Sequence, residues 1–252
     1  MTLLETVGLT KQFGGVMAIQ DFDLELAEGK VYGLLGPNGS GKTTLLNLIS
    51  RLLVPSKGKI FFRSQDITRL PPYSMPRLGI ARTFQHTRLF EDLTLIENVM
   101  LGHYCHESSL TLGHVLLRTW GMRARERSCM ERARKLLAEL GLAGLETARP
   151  HQIPYGQQRI VEVARALMVE PVLLLLDEPT AGLSFDEAAL VGSLVRRLAS
   201  QGITSLVVEH NVRFLSSTCH WIIALAEGRK LVEGTPDVIL SHPKVHEVYF
   251  AA

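Results

Sequence analysis

From Val31 onward the chain alternates between short unbroken apolar runs and longer stretches whose apolar residues recur every three or four positions. VYGLL (31–35), VLLLL (172–176) and SLVV (205–208) are the runs. Each has strand length and little polar character, which predicts a strand buried on both faces. KTTLLNLISRLL places Leu45, Leu46, Leu48, Ile49, Leu52 and Leu53 at helical spacing, and DEAALVGSLVRRLASQG reads as a further helix. Buried strands alternating with helices predict a parallel sheet covered on both sides. WIIALAEGRKLVEG departs from this and reads as a hairpin turning at Glu227-Gly228. Residues 1–30 read as short strands and turns, with two-residue alternation in DFDLEL. The tail SHPKVHEVYFAA reads as a short helix at most.

The stretch 86–150 breaks the pattern. It has few strand signals, and ERARKLLAELGL is an amphipathic helix stopped at Gly141. The α/β pattern resumes at 171 with no linker, repeat or low-complexity segment between. The organisation expected is therefore one domain of 252 residues. A helical subdomain covers about 86–160, core and β parts cover 1–85 and 161–235, and a tail covers 236–252.

Apolar residues make up 46% of the chain, and the mean hydropathy is +0.14. No run approaches the ~20 apolar residues that span a bilayer. The first residues, MTLLETVGLT, have no basic segment or long apolar core of the kind that directs secretion. The expectation is a cytoplasmic protein that meets a membrane through a partner. A net charge of +2 gives no footprint for nucleic acid. Cys105, Cys129 and Cys219 are scattered and odd in number, which suits a reducing compartment. His103, Cys105 and His106 are residue types that zinc accepts, but they are packed too tightly for a tetrahedron and lack a fourth ligand. The arginines of RTWGMRARERS read as a solvated helical face.

Chemistry concentrates in two places. GPNGSGKT (36–43) lies between a predicted strand and a predicted helix and fits a phosphate-binding loop. Gly36, Gly39 and Gly41 let the backbone curl its N–H groups toward an anion, and the helix from about Gly41 adds its positive end. Lys42 reaches the β- and γ-phosphates, and the Thr43 hydroxyl can complete the shell of a Mg²⁺ ion. Pro37, Asn38, Ser40 and Thr44 complete the loop's share of the predicted nucleotide site. The second place is the end of VLLLLDE. Asp177 there is placed to bind the metal, and Glu178 to orient and deprotonate an attacking water. No guanine-reading N-K-x-D motif is present, so the expected nucleotide is ATP. Phe13 in KQFGG is open to two readings, adenine stacking or turn packing.

Taken in this order, the motifs resemble the ATP-binding subunit of an ABC transporter over essentially the whole chain. RTFQHTRLF and the YGQQR spelling are most similar to subunits that serve importers of branched-chain amino acids and amides. The resemblance implies an α/β fold: a RecA-like P-loop NTPase core, an antiparallel β subdomain and an inserted α-helical subdomain. It implies ATP and Mg²⁺ as cofactors and hydrolysis coupled to transport. Phe13 matches the adenine-stacking aromatic. Gln85 matches the glutamine that touches Mg²⁺ and the attacking water, on the segment that meets the membrane partner. Ile153 to Gln157 takes the place of the signature loop, so Tyr155, Gly156 and Gln157 are implied to face a second subunit's nucleotide. Asp177 and Glu178 match the metal ligand and the catalytic carboxylate, and His210 the histidine on the γ-phosphate. The implied partners are a second cassette, identical or paralogous, and integral-membrane permeases, at the cytoplasmic face of the inner membrane.

The chain departs from the usual spelling at several points. Pro154 and Tyr155 stand where the signature loop has serine and glycine. Ser184 and Asn211 stand where aspartates are common, and His220-Trp221 where an Asp-Arg pair is common. Altered coupling between subunits is expected, with hydrolysis retained. EHNVRF and HPKVHEVYF also suggest a lipopolysaccharide-export ATPase. A non-transport ABC ATPase and an ATP-sensing module are further alternatives.

Overall fold

The apolar runs become the centre of a six-stranded sheet. The computed structural model describes residues 1–84, 88–103 and 120–249. Among these, β1 (Thr2–Phe13), β2 (Val16–Ala27), β4 (Lys57–Phe62) and β5 (Gln65–Asp66) form an antiparallel sheet in the order β2-β1-β4-β5. The second sheet contains β3 (Val31–Leu35), β6 (Ile80–Arg82), β7 (Leu173–Asp177), β8 (Thr204–Glu209), β9 (Trp221–Ala226) and β10 (Arg229–Gly234). Its order is β10-β9-β3-β8-β7-β6, parallel throughout except for the β9–β10 hairpin. β3, β7 and β8 are buried at every residue, as expected of strands covered on both faces.

The described α-helices are α1 (Lys42–Ile49), α2 (Leu95–Met100), α3 (Trp120–Glu139), α4 (Tyr155–Leu167), α5 (Phe185–Ser200), α6 (Val212–Thr218), α7 (Pro236–Ser241) and α8 (Pro243–Tyr249). One apolar core gathers α1 and the inner face of the antiparallel sheet against Leu34, Leu173, Leu206 and Ile223. The other lies on the opposite face of the parallel sheet, where α2 to α6 pack on Leu35, Leu174, Val207 and Ile222. In that core Cys219 Sγ sits over Gly33, where a Cβ would fall 3.0 Å from it.

Two sequence expectations need correction. Residues 1–30 form two strands of 12 residues each rather than short pieces. Register shifts along the β1–β2 ladder, with Gly8 and Asp21 at positive φ, interrupt the two-residue period that identifies a strand. The helix read through Leu53 ends at Ile49. Arg51 turns the chain at φ 63 and is held by the carbonyls of Leu53 and Leu70 at 3.1 and 3.3 Å. Leu52 is consequently exposed. The helix α7 has no counterpart among the sequence expectations.

Candidate functional site

β3, β8 and β7 are neighbours, and their carboxyl ends carry Gly36, His210 and Asp177-Glu178 to one edge of the sheet. Ligands of parallel α/β sheets bind at this edge. Gly36 is tightly enclosed, since a Cβ there would run into Ser40 Oγ and lie 2.9 Å from the Leu225 carbonyl. Gly39 and Gly41 adopt φ 80 and 107, and Gly41 is the N-cap of α1. Only glycine takes such angles without strain. Pro37, Asn38 and Gly39 are exposed, as is Thr43 at the start of α1, so the loop opens to solvent there.

Lys42 is buried, and its ammonium donates to the carbonyls of Gly36 and Pro37 at 2.6 and 2.9 Å. Its side chain lies folded over the loop in which phosphates would sit. Burial lowers its pKa, and the nearby charges of Glu178 and Asp177 oppose that shift.

Asp177 is 1% exposed. Its Oδ2 accepts from Arg82 Nη2 at 3.1 Å, and its backbone N–H donates to Thr83 Oγ1 at 3.2 Å. Its Oδ1 is buried with no hydrogen-bond partner among the described residues. Burial raises the carboxyl's pKa despite Arg82. A hard divalent cation taking oxygen donors fits such an oxygen. Glu178 follows at φ 49, a left-handed conformation that is uncommon for a non-glycine residue. That bend turns its carboxylate out of the strand direction, to 4.0 Å from His210 Nδ1.

Phe13 ends β1 beside the β1–β2 turn and is 45% exposed, with Lys11 Nζ 4.9 Å from its ring centre. Its side chain is therefore not buried in either core. The same hairpin reaches the phosphate loop, because Ala18 O and Ile19 crowd the Cα of Gly41.

The segment expected to form the signature loop runs into α4 with Pro154 as N-cap (φ −54, ψ 150) and no side-chain cap. Tyr155 is the first helical residue and is not among the positive-φ positions. Gly156 packs on the loop after Glu178, where a Cβ would lie 2.8 Å from Gly182 O. The Tyr155 ring covers Gly182 from the same side. Gln157 is partly exposed.

Gln85 lies outside the described residues, as do Cys105 and His106. The flanks of Gln85 are held by α4. Arg159 Nη1 donates to Phe84 O at 2.7 Å, Glu162 Oε1 accepts from the Arg88 N–H at 2.7 Å, and Arg165 Nη1 donates to Arg88 O at 2.7 Å. This three-residue clamp escaped the sequence reading. Its signal was a run of charges three apart on one helix, which equally describes a solvated stripe. Arg82 escaped as well, being one arginine among many.

Three of the departures acquire local roles. Ser184 is the N-cap of α5 and forms a reciprocal capping box with Glu187. Asn211 Oδ1 accepts from Phe214 N–H at 3.1 Å and caps α6. His220 Nδ1 accepts from the Val31 N–H at 2.9 Å, tying the start of β9 to β3.

Residues 19–181 match the family described as ABC transporter. The chain belongs to that family. The cassette is 36% identical over 248 residues to the high-affinity branched-chain amino acid transport ATP-binding protein BraF of Pseudomonas aeruginosa, covering 98% of this chain and 97% of BraF. It is 34% identical to the lipopolysaccharide export system ATP-binding protein LptB of Acidithiobacillus ferridurans, covering 98% and 96%. Its fold is similar to the ADP conformation of MJ1267, an ATP-binding cassette of an ABC transporter, with TM-score 0.86, 32% identity and full coverage of both chains. The cassette is thus a nucleotide-binding ATPase subunit with the expected P-loop architecture. Among the described residues no helix is long and apolar enough to cross a membrane.

Proposed function

We propose that this cassette hydrolyses ATP to drive import of branched-chain amino acids or related amides through membrane permeases at the cytoplasmic face. The observation that supports this cargo class is the near-full-length likeness to BraF, on a chain whose phosphate loop, Asp177, Glu178 and His210 share one sheet edge. LptB, at 34% identity, supports export of lipopolysaccharide as a second reading.

In the proposed reaction the loop from Gly36 to Thr44 wraps the phosphates, and Phe13 stacks on adenine. Asp177, Thr43 and Gln85 would hold Mg²⁺, which supplies charge neutralisation on the phosphates when bound. Asp177 Oδ1, unpartnered among the described residues, and the exposed Thr43 suit that ion. Glu178 takes the proton of the attacking water, and His210 donates to the γ-phosphate. At the start of α4 Tyr155 is exposed, Gln157 partly so and Gly156 buried, and the N–H groups of this helix end would meet the nucleotide of a second cassette. An apolar cleft of about 300 Å³, lined by Leu52, Met75, Phe84, Phe90, Leu101 and Ala166, offers a seat for a permease segment. It borders the flanks of Gln85, so a permease there would sense the nucleotide through the α4 clamp.

Glu178→Gln should bind ATP and accumulate as a dimer while turnover falls by at least ~100-fold, the scale of a lost general base. Unchanged turnover would remove Glu178 from its role. For the cargo, the cassette and its permeases are reconstituted in vesicles with the cognate binding protein. ATP-dependent leucine uptake is the expected result, and uptake absent while lipopolysaccharide release is stimulated would favour the second reading.

A further inference from the structure

Glu209 ends β8 and is 0% exposed. Its Oε1 accepts two hydrogen bonds from Thr180, from the backbone N–H at 2.9 Å and the hydroxyl at 2.6 Å. Thr180 lies two residues beyond Glu178. Glu209 Oε2 is also buried, has no hydrogen-bond partner among the described residues, and lies 3.9 Å from His210 Nδ1. Glu178 Oε1 approaches the same nitrogen, at 4.0 Å.

A buried carboxylate oxygen without a donor is destabilising. An amide would satisfy Thr180 as well and carry no charge. The full carboxylate therefore has a use elsewhere, and the imidazole of His210 lies within 3.9 Å of its second oxygen.

We propose that Glu209 is a positioning residue for ATP hydrolysis. One oxygen fixes Thr180 and so the loop that carries Glu178 into the site. The other accepts the Nδ1–H of His210 and turns Nε2 toward the phosphate pocket. The inference rests on the role given to His210 above. With Nδ1–H engaged by a carboxylate, the ring can carry a second proton on Nε2 and meet the phosphate as a cation. Such a charge-assisted bond is about twice as strong as a neutral one.

Glu209→Gln separates the two tasks. The amide oxygen keeps Thr180, while the NH₂ presents donors to Nδ1, which must then accept. Nitrogen-15 NMR of the His210 ring in nucleotide-free protein should show Nδ1 protonated in the parent and unprotonated in the variant. Steady-state kinetics should show kcat down roughly tenfold with KM for ATP within about twofold. Glu209→Gln added to His210→Gln should cost little more than His210→Gln alone, because Glu209 acts through His210. The melting temperature of Glu209→Gln should equal or exceed the parent's, since a buried charge is removed.

Equal Nδ1 protonation in both proteins overturns the proposal, and so do unchanged kcat or fully multiplicative losses. A purely structural Glu209 would lower the melting temperature and reduce kcat only with the folded fraction. If the parent chain lacked ATPase activity the functional reading would fail by itself, while the ring measurement, made without turnover, would still decide the role of Glu209.

Discussion

Pro154 caps α4 with no hydroxyl and no N–H of its own. Serine at the same place can accept from a first-turn N–H and, in the proposed dimer, would also reach the second subunit's phosphate. These two effects are separable. Capping is worth about 1 kcal/mol and raises the melting temperature of the isolated chain by about 2–4 °C. A bond to the phosphate, worth about 1.5–3 kcal/mol if spent on the transition state, raises turnover ~10-fold or more. Pro154→Ser should do both, checked by thermal melts and steady-state ATPase assays. A higher melting temperature with unchanged turnover would confine the serine to the helix end. At this scale the sequence was informative about loop chemistry and poor about caps. The glycines and Lys42 are legible because phosphate binding demands those types at that spacing. Ser184 and Asn211 read as lost aspartates, and only the positions of the Glu187 and Phe214 N–H groups show them as caps.

Helix α4 links its own N-terminal end, at Tyr155, to the segment around Gln85, through Arg159, Glu162 and Arg165. Glu162 is nearly fully buried, and its Oε2 has no hydrogen-bond partner among the described residues. Burial pushes its carboxyl above the ordinary 4.5, against the Arg88 N–H bond and the charges of Arg165, Arg159 and Arg88. A raised carboxyl favours the fold while protonated. Glu162 thus contributes stability below about pH 4.5, and the contribution is lost as pH rises through the raised value. Glu162→Gln should melt higher than the parent near neutral pH, with the gap closing as pH falls toward 4.5. Melts taken between these pH values check it; a gap independent of pH would mean the ionised carboxylate is not the source. Element boundaries were legible where burial alone decides them, as in β3, which spans the five residues of VYGLL. They were not where a distant partner decides. The apolar period of α1 runs on to Leu53, yet Arg51 finds the Leu70 carbonyl and the helix stops.

At the scale of the molecule, the sheet order could not be read. β8 inserts between β3 and β7, and no local pattern in SLVV says so. The placement matters, because it sets His210 between the phosphate loop and Glu178. The apolar cleft under Phe90 was likewise invisible, since its lining comes from segments as far apart as Ser50 and Val169. Phe90→Asp should leave the ATPase of the isolated cassette within about twofold and abolish permease-dependent stimulation and transport. Retained transport in vesicles would place the permease elsewhere. Cys219 draws a different consequence from the same packing. Burial raises its thiol pKa to about 12, so it stays protonated and covered at neutral pH, and thiolate is the reactive form. An alkylating reagent can reach it only when α6 lifts from Gly33. Its labelling rate is then a clock for the opening of the core, and any nucleotide that binds the closed fold slows that clock in proportion to its occupancy.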